Sequence, residues 1–310
     1  MHNWQPGAAL QNLQARQQLY RSIRDFFYRR GVLEVETPLL NQAPVADPNI
    51  TPIQADGNRW LHTSPEYAMK RLLCAGSGDI YQICKVFRQG EAGRRHNPEF
   101  SMLEWYRVGW SLPQLMQEVA ELLQLALAER YPELPVRSYS YRQALQEFAG
   151  LDVLSCSDHD IATLGRQLAN ADLELDRDGW LDVIMSHQVE PALPRNTLVF
   201  VDNFPASQAA LAKILPQADG AAWAQRFEVF FNGMELANGY DELLDADIQR
   251  QRFARELAGT GRPCDERLLA ALEQGLPDCS GVALGLDRLL LHATGADNIR
   301  QVISFDWYSA

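Results

Sequence analysis

Apolar residues recur at helical spacing in two long stretches of the chain. The first covers residues 10–30 and stops at Gly31, and the second, residues 112–130, carries a proline at its second position. An apolar stripe with this period is typical of a helix that packs one face on a core, and proline is favoured in a first helical turn. Both stretches are therefore predicted to be surface helices.

Other segments alternate between apolar and polar residues, or are short and continuously apolar, as strands are. The firmest are 80–88 and 100–108, and the polar loop between them predicts a long antiparallel hairpin. Segments 32–36 and 198–205 are further predicted strands. Asn232-Gly233, set between apolar residues, predicts a hairpin with a two-residue turn.

The order of these elements indicates the fold class. Residues 281–286 predict a strand that leads into a helix at 287–293, whereas the region from 129 to about 194 is helical in pattern and poor in motifs. Runs of strands with helices outside them predict an α+β fold, an antiparallel sheet flanked by helices. At 310 residues, we expect a single domain over 1–310 with a small helical insertion at 129–194.

Composition and charge narrow the class of protein. Apolar residues make up 46% of the chain and charged residues 22%, ordinary values for a globular protein. No uncharged stretch is long enough to cross a bilayer, the N-terminus has no export signal and the five cysteines form no CxxC pair, so we expect a reduced, cytoplasmic protein. The net charge of -12 disfavours extensive contact with RNA and favours a small substrate or a basic protein partner.

One face of the predicted strand 100–108 combines apolar and polar side chains. Strand periodicity places Glu104 and Tyr106 on the same face as Phe100. A carboxylate on an apolar face costs free energy unless a cation joins it. The cation is either a bound ammonium group or an arginine of the protein itself, and the pattern leaves both open.

Basic residues gather where this hairpin meets its loop. Arg88 ends the first strand, and Arg94, Arg95 and His96 follow in the loop. A guanidinium group forks onto phosphates and carboxylates, so the cluster suits a polyphosphate, although a solvated basic turn has the same pattern.

The Asn232-Gly233 turn would pair residue 230 with 235 and 228 with 237. Glu228 and Glu235 then become diagonal neighbours, about 7–8 Å apart or less, a spacing that hydrated Mg²⁺ can bridge. Two carboxylates in solvent are the alternative. Arg288 follows a glycine-rich strand and adds a second arginine. Two arginines, two carboxylates and an acidic pocket together suit ATP with Mg²⁺ beside a cationic substrate.

Three segments resemble, in order, the signature motifs of class II aminoacyl-tRNA synthetases, and the lysyl-tRNA synthetase core is the most similar. They are 24–38 (RDFFYRRGVLEVETP), 87–104 with its RHNPEF string, and 281–288 (GVALGLDR). The resemblance implies one class II catalytic domain, an enzyme that uses ATP and Mg²⁺. It also implies a homodimer, because the first motif forms the dimer interface in that family.

The resemblance implies roles for individual residues. Arg88 and Arg288 would be catalytic, the first bridging the substrate carboxylate and the α-phosphate of ATP, the second closing over the nucleotide. The implied ATP-binding residues are Arg88, Gln89, Gly90, Glu91, Arg95, Asn97, Phe100, Glu235, Leu236, Gly285 and Arg288. The implied amino-acid-binding residues are Ser64, Pro65, Glu66, Glu104, Tyr106, Asn238, Glu242 and Ala283, and the implied metal ligands are Glu228 and Glu235.

Three departures from the synthetase pattern indicate one branch of the family. About two dozen residues precede Arg24, too few for the OB-fold that reads the anticodon, so no anticodon-type tRNA recognition is expected. Ala283 stands where the synthetases usually have Gly, and Gln89-Gly90-Glu91 replaces the usual Asn-Glu-Gly. The chain thus resembles the elongation factor P lysine ligases, which transfer (R)-β-lysine, or less efficiently α-lysine, from its adenylate to a lysine side chain.

The expected function is therefore ATP-dependent ligation of lysine or β-lysine to elongation factor P. A truncated lysyl-tRNA synthetase that still charges tRNA is one alternative. A non-catalytic paralogue that senses an amino acid is another, and retention of Arg88, Glu228, Glu235 and Arg288 argues against it. An ammonia-dependent asparagine synthetase is disfavoured, because the glutamates of the pocket would repel its acidic substrate.

Overall fold

The computed structural model describes residues 4–171, 173–217 and 220–310. In chain order its α-helices are α1 (Leu10–Tyr28), α2 (Glu66–Cys74), α3 (Leu112–Leu127), α4 (Tyr141–Ala149), α5 (Asp158–Ala169), α6 (Arg177–Ile184), α7 (Glu190–Ala192), α8 (Ala246–Glu256), α9 (Glu266–Gln274) and α10 (Leu286–Thr294). A π-helical turn covers Met185–Val189, and 3₁₀ turns cover Ala206–Gln208 and Ile299–Gln301. In the described part of the chain, no helix has the length and apolarity needed to cross a membrane.

The strands are β1 (Leu33–Glu34), β2 (Leu40–Asn41), β3 (Gln54–Ala55), β4 (Arg59–Leu61), β5 (Ile80–Phe87), β6 (Glu99–Val108), β7 (Val136–Ser140), β8 (Leu198–Pro205), β9 (Ile214–Pro216), β10 (Ala222–Phe231), β11 (Glu235–Asp241) and β12 (Cys279–Gly285). The predicted α+β class, with mainly antiparallel strands and flanking helices, is confirmed. Helices α1 and α3 lie where apolar periodicity predicts them, but each ends slightly earlier.

Two compact units make up the chain, Met1–Pro132 with Glu242–Ala310 and Glu133–Asp241. In the first unit, β5, β6 and β12 are antiparallel neighbours and β1 lies parallel to β5 at the edge. Strands β2, β4 and β3 form a small separate sheet. The predicted hairpin is confirmed by β5 and β6, whereas β1 is shorter than the predicted 32–36, because it pairs with only the first two residues of β5.

One face of the β5–β6 hairpin packs on helices of the first unit. Phe27 of α1 stacks on Tyr81 with ring centres 4.5 Å apart and meets Trp105 edge-on at 5.4 Å. Trp105 Nε1 donates to the buried Glu118 carboxylate of α3 at 3.0 Å. Because side chains alternate along a strand, the burial of Trp105 here directs Glu104 to the opposite face.

An ion pair with a buried carboxylate ties three elements of the first unit together. Asp287 of α10 is 1% exposed, accepts the Ser101 backbone N–H of β6 at 2.6 Å and pairs with the Arg16 guanidinium of α1. Arg16 Nε also donates to the Val302 carbonyl oxygen at 3.0 Å. The start of α10, which carries Arg288, is therefore fixed against β6 and α1.

In the second unit, β8, β10 and β11 are antiparallel neighbours, β9 pairs with β10, and β7 lies parallel to β8. Its core includes Tyr141, Trp180 and Phe204. A Cβ on Gly165 of α5 would lie 2.4 Å from the Trp180 ring, so this glycine lets α5 approach the core. Residues 129–194 contain α4 to α7 and β7; that they form an insertion in one domain over 1–310 stays a prediction.

The hairpin of the second unit has the predicted turn but not the predicted register throughout. The turn at Asn232-Gly233 is confirmed, and the first pairs beyond it agree with the prediction. The predicted pairing of Glu228 with residue 237 is wrong, because a β-bulge next to Phe230 pairs Glu228 with Asn238. A bulge adds one residue to a strand, which a strict period of two does not anticipate.

We expect Asp287→Ala to lower the free energy of unfolding by about 3 kcal/mol, because it leaves the Arg16 charge and the Ser101 N–H without their buried partner. Urea unfolding monitored by circular dichroism measures the change. Asp297→Ala is the matched control: the Asp297 side chain, paired with Arg94, is 69% exposed, and its loss should cost at most about 1 kcal/mol. Equal losses in the two variants would contradict the role of Asp287.

Candidate active site

Strands β6 and β12 bring predicted amino-acid-binding residues side by side. The register sets Ala283 opposite Glu104 and Gly281 opposite Tyr106. Directly opposite residues of an antiparallel pair share a face of the sheet. The Ala283 methyl group therefore lies beside Glu104, on the face that the sequence predicts to bind substrate.

Glu104 is 2% exposed and is held by neutral donors. Ser64 Oγ donates to one carboxylate oxygen at 3.0 Å, and the Tyr106 hydroxyl donates to the other at 2.7 Å. Burial raises the pKa of Glu104 to about 8, and the charges of Glu66 and Glu242 act in the same direction. A cationic ligand would favour ionisation of this carboxyl group.

The Ser64-Pro65-Glu66 segment leads into α2, where a lysine that sequence reasoning missed joins the pocket. Lys70 Nζ lies 2.7 Å from Glu66 Oε1 and 2.6 Å from Glu242 Oε2. Burial acts to lower the pKa of Lys70, but Glu242 and Glu66 outweigh it, so the pKa lies above its ordinary value. The available signal was the i, i+4 spacing of Glu66 and Lys70 on a helix.

Gly281 is required by the packing of this pocket. A Cβ at this position would lie 2.3 Å from Tyr106 Cε1 and 2.7 Å from Glu242 Oε1. Contacts this short exclude any side chain unless the pocket itself shifts. The first glycine of the GVALGLDR segment therefore gives Tyr106 and Glu242 the space they occupy.

Arg88 follows β5, next to the start of β6. Its guanidinium carbon is 5.1 Å from the centre of the Phe100 ring, and its Nη1 is 3.8 Å from Glu91 Oε1. The Arg88 Nε is buried and has no hydrogen-bond partner among the described residues. An anionic ligand would satisfy this donor. Gln89 and Gly90 continue the turn, and Gly90 has a φ of 81°.

Arg288 lies in the first turn of α10, immediately after the strand that ends at Gly285. Arg288 Nη2 is 2.5 Å from His96 Nε2 in the loop between β5 and β6. The structure thus brings the GVALGLDR segment to the basic loop, as a nucleotide site built from both would need.

Asn97, in the same loop, makes two hydrogen bonds with its side chain. The Asn97 side chain donates to the Glu99 carbonyl oxygen at 2.7 Å and accepts the Trp307 backbone N–H at 2.8 Å. The Asn97 amide therefore holds backbone in place, whatever else it contacts when ligands bind.

Arg95 of the loop acts through its charge on a histidine of α10. Burial, together with the charges of Arg95 and Arg130, lowers the pKa of His292 to about 4.

The acidic pair of the second unit is arranged around an arginine that sequence reasoning missed. Glu228 Oε1 lies 2.5 Å from Arg226 Nη2, and Arg226 Nε donates to Asn238 Oδ1 at 3.2 Å. Asn238 Nδ2 donates to the Tyr240 hydroxyl at 2.8 Å. Burial raises the pKa of Glu228 to about 7; Arg226 opposes the shift and Glu235 adds to it. The predicted diagonal placement of Glu228 and Glu235 rested on the register that the bulge changes, but the charge of Glu235 still acts on Glu228.

Across the described residues, no group of three or more His, Cys, Asp or Glu side chains could hold a metal ion. Glu228 and Glu235 are a smaller set of two oxygen donors, whose mutual repulsion a cation would relieve. Mg²⁺ commonly binds one or two protein carboxylates together with phosphate oxygens. The donor chemistry of the pair fits Mg²⁺, with one Glu228 oxygen held by Arg226.

Comparison with known proteins identifies the class. The family model described as class II tRNA synthetases (D, K and N) matches residues 4–307. The chain belongs to this family.

Its relatives include proteins that share one name, elongation factor P–(R)-beta-lysine ligase. Those of Pectobacterium atrosepticum and Klebsiella pneumoniae are each 46% identical to the chain, over 98% and 97% of it and 97% of their own length. That of Edwardsiella ictaluri is 47% identical over 98% of both chains. The resemblance to elongation factor P lysine ligases is confirmed.

We expect Gly281→Ala to lower the free energy of unfolding by about 1–3 kcal/mol, because the added methyl group overpacks the pocket against Tyr106. Thermal unfolding measures the shift. Gly93→Ala is the matched control, since a Cβ there meets nothing within 4 Å. Similar shifts in the two variants would show that the short contacts at Gly281 do not matter.

Glu104 should make stability depend on pH. Its pKa of about 8 in the folded protein exceeds the ordinary value of 4.5, so folding favours the protonated carboxyl group. The contribution of Glu104 is then present at about pH 4 and is lost as the pH rises towards about 9. Glu104→Gln stays neutral, so its stability relative to the unsubstituted protein should rise over this range in urea unfolding. A difference that is independent of pH would contradict the raised pKa.

Proposed function

We propose that the protein activates (R)-β-lysine, or α-lysine, with ATP and transfers it to a lysine side chain of elongation factor P. The observation that carries the proposal is the buried set of carboxylates Glu66, Glu104 and Glu242, which suits a cationic amino acid. Relatives that match nearly the whole chain are named as this ligase.

In the activation step, a carboxylate oxygen of the amino acid attacks the α-phosphorus of ATP. The bond from that phosphorus to the bridging oxygen breaks, pyrophosphate leaves and an aminoacyl adenylate forms. We assign Arg88 to bridge the two anions, which draws nucleophile and electrophile together and offsets charge in the transition state. The buried Nε–H of Arg88 supports this assignment.

Other residues of the first unit are assigned to binding. Phe100 would stack on adenine, and Arg288 would cover the nucleotide. The further ATP-binding assignments there are Gln89, Gly90, Glu91, Arg95, Asn97 and Gly285. Glu104, Tyr106 and Glu242 would bind the ε-ammonium group, the Ser64-Pro65-Glu66 segment the other amino group, and the Ala283 methyl would shape the pocket for the lysine isomer.

In the second unit, Glu228 and Glu235 are assigned to Mg²⁺, which would offset phosphate charge. Arg226 contacts one Glu228 oxygen, so the other oxygen would be the one available to the ion. Asn238 is assigned to the substrate carboxylate and Leu236 to the nucleotide, and both assignments rest on the family resemblance.

In the transfer step, the uncharged ε-nitrogen of the acceptor lysine attacks the carbonyl carbon of the adenylate. An amide bond forms, AMP leaves and the nitrogen loses a proton to solvent. Charging of tRNA by a truncated synthetase, and amino-acid sensing without catalysis, are not favoured, because the matching relatives are named ligases. We also expect a cytoplasmic homodimer.

Intact-mass analysis tests the proposal. The protein is incubated with elongation factor P, (R)-β-lysine, ATP and Mg²⁺, and elongation factor P should gain the mass of one lysyl residue. Arg88→Ala should slow the gain at least about 100-fold, as loss of a transition-state charge contact does. Arg59→Ala, which removes an exposed arginine of β4, is the control and should retain the rate. A mass gain on tRNA and none on elongation factor P would refute the assigned acceptor.

A further inference from the structure

An ammonium group of the protein itself lies inside the carboxylate pocket. Lys70 is 2% exposed, and its Nζ contacts Glu66 at 2.7 Å and Glu242 at 2.6 Å. Glu66 and Lys70 lie one turn apart on α2, and the Glu242 backbone N–H donates to the Cys279 carbonyl oxygen of β12 at 3.0 Å. Lys70 therefore links α2 to Glu242, whose backbone is hydrogen-bonded to β12.

Lys70 divides the carboxylates of the pocket into two kinds. Glu66 and Glu242 each direct one oxygen at Lys70, whereas Glu104 is bound by the hydroxyl groups of Ser64 and Tyr106. With all groups ionised, the three glutamates and one lysine leave a net charge of two negative units. That charge matches the two ammonium groups of a lysine or β-lysine whose carboxylate has been joined to AMP.

We propose that Lys70 is a positioning residue that determines specificity for a doubly cationic amino acid: it fixes the orientation of Glu66 and Glu242 and sets the charge of the pocket. The inference rests on the proposed function and deepens it. It assigns the pocket's preference for a doubly cationic amino acid to one residue, which does not contact the reacting atoms.

The physical reason lies in the repulsion among buried carboxylates. Like charges that cannot be hydrated raise one another's pKa, so carboxylates left without Lys70 would take up protons in preference to a substrate cation. The titratable groups that face Lys70 or Glu104 are Glu66, Glu242, the Tyr106 hydroxyl and the thiols of Cys74 and Cys84, and the Ser64 hydroxyl donates to Glu104. An apolar residue in place of Lys70 would then weaken lysine binding most at low pH.

Lysine-dependent ATP/pyrophosphate exchange and direct ATP binding together test the inference on the full-length protein. Lys70→Met should raise the KM for lysine at least about tenfold, as removing one partner of a buried charge pair does. The acid limb of kcat/KM for lysine should move up by at least about 1 pH unit. The dissociation constant for ATP, measured without amino acid, should stay nearly unchanged. Lys70→Arg keeps the charge, so its acid limb should stay in place although its longer side chain raises the KM.

Arg71→Met is the matched control, because it removes a positive charge from the exposed side of the same helix. A KM for lysine and an acid limb in Lys70→Met that equal those of Arg71→Met would overturn the inference. Loss of ATP binding in both Lys70 variants would assign Lys70 to folding and also overturn it. Absence of lysine-dependent exchange in the unsubstituted protein would instead refute the proposed function, so the two failures are distinguishable.

Discussion

Burial of several carboxylates within one pocket is the constraint on which the first unit depends. A carboxylate loses its hydration when it is buried, and neighbouring carboxylates repel one another, so each needs a donor close by. The fold supplies two kinds of donor: hydroxyl groups for Glu104 and the Lys70 ammonium for Glu66 and Glu242. Substrate charge would complete this balance in the proposed ligase, so we expect the pocket to select a cation.

The scaffold around the pocket follows from that constraint. Strand β6 keeps Glu104 in place because its other face is anchored by Trp105 on α1 and α3. Gly281 of β12 leaves the space that the Tyr106 ring of β6 occupies. The buried Asp287 holds the start of α10 in place, so the backbone of the neighbouring Arg288 is fixed. Packing on one face of the sheet thus positions polar groups on the other.

Periodicity predicted several of the main elements and the shared face of two residues of the candidate site. The hairpin of β5 and β6, the strand β8 and the helices α1 and α3 were predicted from local patterns, and strand alternation placed Glu104 and Tyr106 on one face. The bulge beside Phe230 was not predicted, because an extra residue in a strand leaves no mark in the apolar pattern. Lys70 and Arg226 were also missed, since a lysine in a helix or an arginine in a strand is most often a surface residue.

The two missed cations, Lys70 and Arg226, both pair with glutamates of the candidate site. The sequence left open whether the cation beside Glu104 is a ligand or belongs to the protein, and the described contacts of Glu104 are hydroxyl groups. The protein's own cations pair instead with the neighbouring glutamates, Lys70 with Glu66 and Glu242 in one unit, and Arg226 with Glu228 in the other. An internal cation holds a carboxylate in one orientation before any ligand binds, which lowers the ordering cost of binding. Glu104 has no such partner among its described contacts, so its negative charge is the one that a substrate ammonium would stabilise most.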